Sequence, residues 1–197
     1  LNVGGVTGHC NNPNEPVVKF RVLGGVARNG KPVILPELQS IPLLASDSDE
    51  FSLPKTPLIL VTGSDMEVGK TTCAASLTAA LQASGIRLAY VKLTGTGRIR
   101  DVLRVCYGRS EGRFDSSRQG WDFVDAGLAS TAGVDVQIVR QHTRNLLRYA
   151  AGQGEIIIAE LADGPTMDAS LFVSTDPWII DWLKENGLVM CACDTVS

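Results

Sequence analysis

The stretch LILVTGSDMEVGKTTCAASLTAALQASG, residues 58–85, constrains the fold more than any other part of the chain. It opens on a short apolar run, passes a loop bounded by glycines, and continues with helical spacing to a terminal glycine. An apolar run without polar alternation reads as a strand buried on both faces, and such strands belong to parallel sheets. The same order recurs downstream. IRLAYVKL (86–93) reads as a second buried strand and WDFVDAG (121–127) as a third. VDVQIVRQHTRNLLRYAAGQG (134–154) is an amphipathic helix with Val136, Val139, Leu146, Leu147 and Ala150 on its apolar stripe. EIIIAEL (155–161) is a fourth strand. In TDPWIIDWLKENG (175–187) Asp176 is the expected N-cap, Pro177 the first helical residue and Gly187 the stop. LVMCACD (188–194) closes the series as a fifth strand. Strands alternating with helices predict an α/β fold with a mainly parallel sheet covered by helices.

Upstream, PVVKFRVLGGVARNGKPVIL (16–35) alternates apolar and polar side chains around Asn29-Gly30. An Asn-Gly pair between β-rich runs favours a type I′ turn, so residues 1–35 are read as a small N-terminal β-hairpin element. Residues 36–57, with prolines at 36, 42, 54 and 57 and the acidic run DSDE, read as a linker or covering loop. Residues 58–197 form the main domain, and its sheet is expected to be incomplete because no helix follows the fifth strand.

A chain of 197 residues is long enough for one α/β domain with such an appendage. A net charge of −3 with 20% charged residues leaves no broad cationic field for nucleic acid or an acidic membrane surface. The apolar runs are strand-sized, too short to span a membrane. LNVGGVTGHC lacks the basic start and apolar middle of a signal peptide, so the chain is expected to be processed, trimmed or part of something longer. Five scattered cysteines without CxxC spacing point to free thiols in a reducing, cytoplasmic setting. Cys191 and Cys193 would share one strand face as small apolar fillers, and His9-Cys10 lacks a second ligand pair.

The chemistry is expected in the first loop. Gly63 ends the strand with no side chain to block the turn, and Gly69 lets backbone N–H groups face an anion. Between them lie Ser64, Asp65, Met66, Glu67 and Val68. Lys70 supplies a point charge for β- and γ-phosphates, Thr71 a hydroxyl for Mg²⁺, and Thr72 continues the helix whose N-terminal end is positive. The glycine stands one residue earlier than in the strict GxxxxGK[ST] pattern, giving GxxxxxGKT. GSDMEVGKTT resembles the loop of dethiobiotin synthetases, close to GTDTxVGKT, in the branch of P-loop NTPases that includes cobyric acid synthase and MinD-type proteins. AYVKLTGTG (89–97) resembles that family's GYKPVxSG, and AELADG (159–164) its VEGAGG.

The resemblance covers about half of the chain and implies a P-loop NTPase fold. It aligns Lys92 with a lysine that contacts substrate and phosphates, Thr96 and Gly97 with a Ser-Gly pair, and Glu160 with a Mg²⁺ ligand. It also implies ATP and Mg²⁺ as cofactors, a small-molecule acceptor and a homodimer. Met66 departs from it, replacing a hydroxyl with a thioether, and the carboxylate-binding residues of dethiobiotin synthetase have no counterpart. DFVDAGL (122–128) and ELADG (160–164) also resemble a second group of P-loop proteins, some tied to acyl transfer or amino-acid metabolism.

Asp125 is the preferred second metal-holding carboxylate, with Asp122, Asp101 and Asp115 as competitors. Asp163 reads equally as a turn residue or a functional one. His142, Arg140, Arg144 and Arg148 read as a solvated helix face, and Trp178 and Trp182 as core. Arg98, Arg100, Arg104, Arg109 and Arg113 either attract an anionic substrate or line a solvated loop. The expectation is a Mg-ATP enzyme that phosphorylates or activates a small carboxylate or carbamate, with Lys70, Lys92 and Thr96 catalytic. Its rivals are a MinD-like switch ATPase and the nucleotide-binding half of a larger acyl- or amino-group-transfer protein.

Overall fold

The computed structural model describes residues 21, 23–41, 52–97, 99–108 and 119–193. His9, Cys10, Arg98, Arg109, Arg113 and Asp115 lie outside these residues, as does most of the N-terminal half of the expected hairpin element. What is described of it is a short antiparallel pair, β1 (Ala27–Arg28) and β2 (Lys31–Pro32). Asn29 and Gly30 both take positive φ, 52° and 73°, as a type I′ turn requires. A single 3₁₀ turn follows at Leu35–Leu38.

The main body is a five-stranded, all-parallel sheet. Its strands are β3 (Leu58–Gly63), β4 (Leu88–Lys92), β5 (Gln119–Asp122), β6 (Ile156–Glu160) and β7 (Gly187–Ala192), in the order β5-β4-β6-β3-β7. Helices α1 (Lys70–Ala83), α2 (Ile99–Tyr107), α3 (Val136–Ala151), α4 (Asp168–Ser174) and α5 (Pro177–Asn186) make the connections.

Strand alternation divides the core in two. Leu58, Leu60, Ala89, Val91, Ile157 and Ala159 join residues of α3, α4 and α5 in one cluster. Val61, Leu88, Tyr90 and Ile158 join Ala74 of α1 and Val102 and Val105 of α2 in the other. Continuous apolar strands are thus explained by helices on both faces. Asp176 caps α5 by accepting hydrogen bonds from the Trp178 and Ile179 amides. Trp182, fully buried, donates its indole N–H to the Thr56 carbonyl at 2.9 Å and so ties residues before β3 to the core. The stretch 36–57 also supplies Ile41 to that core; the Ser40 and Ile41 amides both donate to the Asp125 carbonyl.

The order of strands places the site. β3 passes the chain to α1 on one face, and the neighbouring β6 passes it to α4 and α5 on the other. The crevice beyond the carboxyl ends of β3 and β6 therefore stays open, which is where ligands of open α/β sheets bind. Lys92 stands in register with Glu160 on one side and Asp122 on the other, so these three side chains lie on the same rim.

Candidate functional site

The loop between β3 and α1 begins at the Ser64 amide, which donates to the Ala192 carbonyl of β7 at 3.0 Å. It ends at Gly69, whose φ of 98° lies in the left-handed region that only glycine enters cheaply. Gly69 is the N-cap of α1 and offers no side chain, so the positive helix end is not closed by a capping oxygen. Asp65 turns its carboxylate onto the Met66 amide at 2.7 Å, while Met66 itself is exposed. Lys70 folds back across the loop and donates to the Asp65 carbonyl at 2.5 Å. Burial lowers the Lys70 pKa; Glu160 and Asp163 oppose that shift.

Glu160 is the centre of the opposite wall. It ends β6 and is almost completely buried. A carboxylate in such a place needs partners. Tyr90, two residues before Lys92 on β4, donates to Oε2 at 2.8 Å. Thr71 donates to Oε1 at 2.7 Å, and the Lys92 ammonium lies 3.8 Å from the same oxygen. Burial, reinforced by Glu160, raises the Tyr90 pKa and keeps the phenol protonated. Lys92 is also salt-bridged to Asp101 in the first turn of α2. Three elements far apart in sequence thus meet at one carboxylate.

These groups border a cleft of about 530 Å³ that Lys70, Thr71, Lys92, Thr96, Asp101 and Glu160 help to line. Met66, Glu67, Gly69 and Thr72 also border it. Thr96 is held by a β-bridge to Ser130, and the adjacent Gly95 amide donates to Thr131 at 2.8 Å. The turn after β6 closes the end of the cleft. Asp163 takes a φ of 54°, uncommon for a residue with a side chain. A methyl at the next residue, Gly164, would lie 2.7 Å from the Ser64 carbonyl oxygen, so only glycine permits this approach to the loop.

No protein-family model and no curated protein matches the chain.

Asp125 does not reach the cleft. Its carboxylate accepts from the Asp122 amide at 3.0 Å and from the Ser40 hydroxyl at 3.1 Å, locking a turn instead. Asp122 likewise points its carboxylate at the Val124 amide, and burial pushes its pKa up to about 6. The carboxylate that does stand beside Lys92 is Asp101. The residue spacing alone could not choose between them, because Asp101 lies on a helix that the basic stretch conceals.

Arg140 and Arg144 are not merely solvated. Both approach the buried Asp176 carboxylate, at 3.7 and 3.1 Å. His142 is buried, which lowers its pKa, the Ala126 backbone opposing that shift. Cys191 and Cys193 are exposed at the sheet edge with their sulfurs 3.5 Å apart, where apolar fillers were expected. They are exposed because β7 pairs only with β3 among the described strands.

Among the described residues no three His, Cys, Asp or Glu side chains gather as a metal site. Magnesium does not require such a cage, since it is commonly held by one or two protein oxygens together with phosphate and water. Thr71 and Glu160 present hard oxygens of that kind. No helix among the described residues is long and apolar enough to cross a membrane.

Proposed function

We propose that this chain is a P-loop NTPase of the dethiobiotin synthetase-like branch, binding ATP with Mg²⁺ and activating a small carboxylate or carbamate by phosphoryl transfer. The observation that carries the reading is the meeting of Thr71, Glu160 and Lys92 opposite the uncapped N-terminus of α1. A strand–glycine loop–helix with its lysine at the first helical position favours phosphate binding. A buried carboxylate within hydrogen-bonding reach of the next hydroxyl favours a divalent cation between them.

Each residue then has a definable task. The amides of residues 63–72 and the Lys70 ammonium neutralise phosphate charge. Thr71 and Glu160 would hold Mg²⁺, which supplies Lewis-acid charge stabilisation when bound. Tyr90 occupies Oε2 of Glu160, which leaves Oε1 facing Thr71. Asp101 positions Lys92, whose ammonium balances charge developing between phosphate and acceptor. Thr96 borders the acceptor side of the cleft. Positioning and charge neutralisation supply most of the catalysis expected of such a site. The same reading places the protein in the cytoplasm, consistent with the thiols of Cys73, Cys191 and Cys193, and as a homodimer through the resemblance.

Isothermal titration with Mg-ATP, Mg-ADP and Mg-GTP on wild type and Lys70→Ala tests it. The expected result is wild-type binding that Lys70→Ala weakens about tenfold or more. Equal affinity in the two proteins would overturn the reading.

A further inference from the structure

The arginines of α2 have no task in the reading above. α2 buries Val102, Val105 and Cys106 and turns Arg100 and Arg104 to the cleft, where both are exposed and line the wall. The two are four residues apart, about 6 Å along the axis, on the same helical face. Their charge is locally unfavourable twice over. Like charges at this spacing repel, and Arg100 lies in the first turn, where the helix dipole disfavours a cation. Asp101 shares that turn but is committed to Lys92. Arg104 donates one N–H to the Thr72 hydroxyl at 2.9 Å, which leaves further donors of its fork unassigned. Arg100 has no hydrogen-bond or ion-pair partner among the described residues.

An anion would relieve both strains. A guanidinium fork binds carboxylate or phosphate bidentately, whereas a solvated arginine needs no cleft. The position also matters. Lys92 joins the two ends of the site, since it contacts Asp101 of α2 and lies near Glu160.

We propose that Arg100 and Arg104 form an anion subsite for the acceptor, which is therefore a compact acid carrying a second carboxylate. One carboxylate meets Lys92 and the phosphate end; the other is gripped from α2. This rests on the nucleotide reading and narrows its substrate class from acids in general to dicarboxylates.

The test uses the protein loaded with Mg-ADP and titrated with succinate, glutarate and adipate. Butyrate, valerate and hexanoate serve as monocarboxylate controls of equal carbon number. At least one dicarboxylate should bind, and the matching monocarboxylate should bind about tenfold more weakly or less. Arg100→Ala and Arg100→Lys should each weaken the dicarboxylate about tenfold or more, the lysine failing because it lacks the planar fork. Arg87→Ala removes an equal charge at the opposite end of β4 and should leave dicarboxylate affinity within about twofold of wild type. Circular-dichroism melts verify that the exposed substitutions leave the fold intact. Dicarboxylate binding that is absent from wild type, matched by the monocarboxylate, or insensitive to Arg100→Ala overturns the subsite. If Arg100→Ala instead weakens Mg-ADP, the arginines serve the nucleotide and the proposal fails. Absence of Mg-ADP binding in wild type is the separate failure of the nucleotide reading.

Discussion

Glu160→Gln separates the part the buried carboxylate plays in the fold from its proposed part as a cation ligand. In the fold, Glu160 gains from Lys92 at 3.8 Å, worth about 4 kcal/mol at an effective dielectric of about 20. It also accepts from Thr71 and Tyr90. Against this stands the desolvation of a nearly fully buried charge, several kcal/mol in real proteins. The two sides nearly cancel, and Lys92 keeps its salt bridge to Asp101 in the variant, so the isosteric amide should change folding stability by no more than about 2 kcal/mol. The cation is different. An amide oxygen is a weaker ligand for a small hard cation than a carboxylate, and Glu160 is the carboxylate that the Thr71 hydroxyl contacts. Nucleotide affinity should therefore rise about tenfold or more with Mg²⁺ in wild type and no more than about twofold in Glu160→Gln. Calorimetry in Mg²⁺ and in a chelator measures both, and urea denaturation measures stability. A Mg²⁺ effect of wild-type size in the variant would refute the assignment of Glu160, whatever the variant's stability.

Asp122 should make stability fall as pH rises. Its folded pKa of about 6 is above the ordinary 3.8, so its contribution is complete below about pH 4 and lost through about pH 6, by up to about 3 kcal/mol. Asp122→Asn keeps an oxygen for the Val124 amide and should flatten that slope, stabilising the protein at about pH 8 by about 1–2 kcal/mol in denaturant titrations. Gly164→Ala puts a methyl against the Ser64 carbonyl and should cost about 1–3 kcal/mol, with weaker nucleotide binding, because the loop itself must yield. Trp182→Ala removes a fully buried ring and its bond to Thr56, so denaturation should show a loss of about 3–5 kcal/mol.

The strands were legible because burial on both faces leaves no polar alternation: the middles of the runs, LILV, LAYV and IIIA, hold no polar residue apart from the Tyr90 hydroxyl. α1, α3 and α5 declared themselves by length, stripe or cap. α2 did not. Ile99, Val102, Val105 and Cys106 do follow helical spacing, but the arginines among them read as a solvated loop; packing against α1, β4 and β5 buries the apolar face. α4, a short helix of seven residues without a side-chain cap, has no signal of its own. The site divides in the same way. Lys70, Thr71, Lys92 and Glu160 follow strand ends, so local pattern locates them. Asp125 lies in the turn after β5, where the Asp122 amide takes its carboxylate, while Asp101 reaches Lys92 from α2, whose apolar spacing is overshadowed by its arginines. Tyr90 could have been found, since it lies two residues from Lys92 on the same strand and anchors the residue Lys92 approaches.

The central claim is that residues 63–72 hold a polyphosphate across the cleft from Lys92 and Glu160. A crystal structure grown with a non-hydrolysable ATP analogue and Mg²⁺ tests it most directly. Density for the phosphates along the loop, with the cation between the Thr71 hydroxyl and Oε1 of Glu160, is the predicted result. Analogue density elsewhere on the molecule, with that hydroxyl still bonded to Glu160, would contradict it.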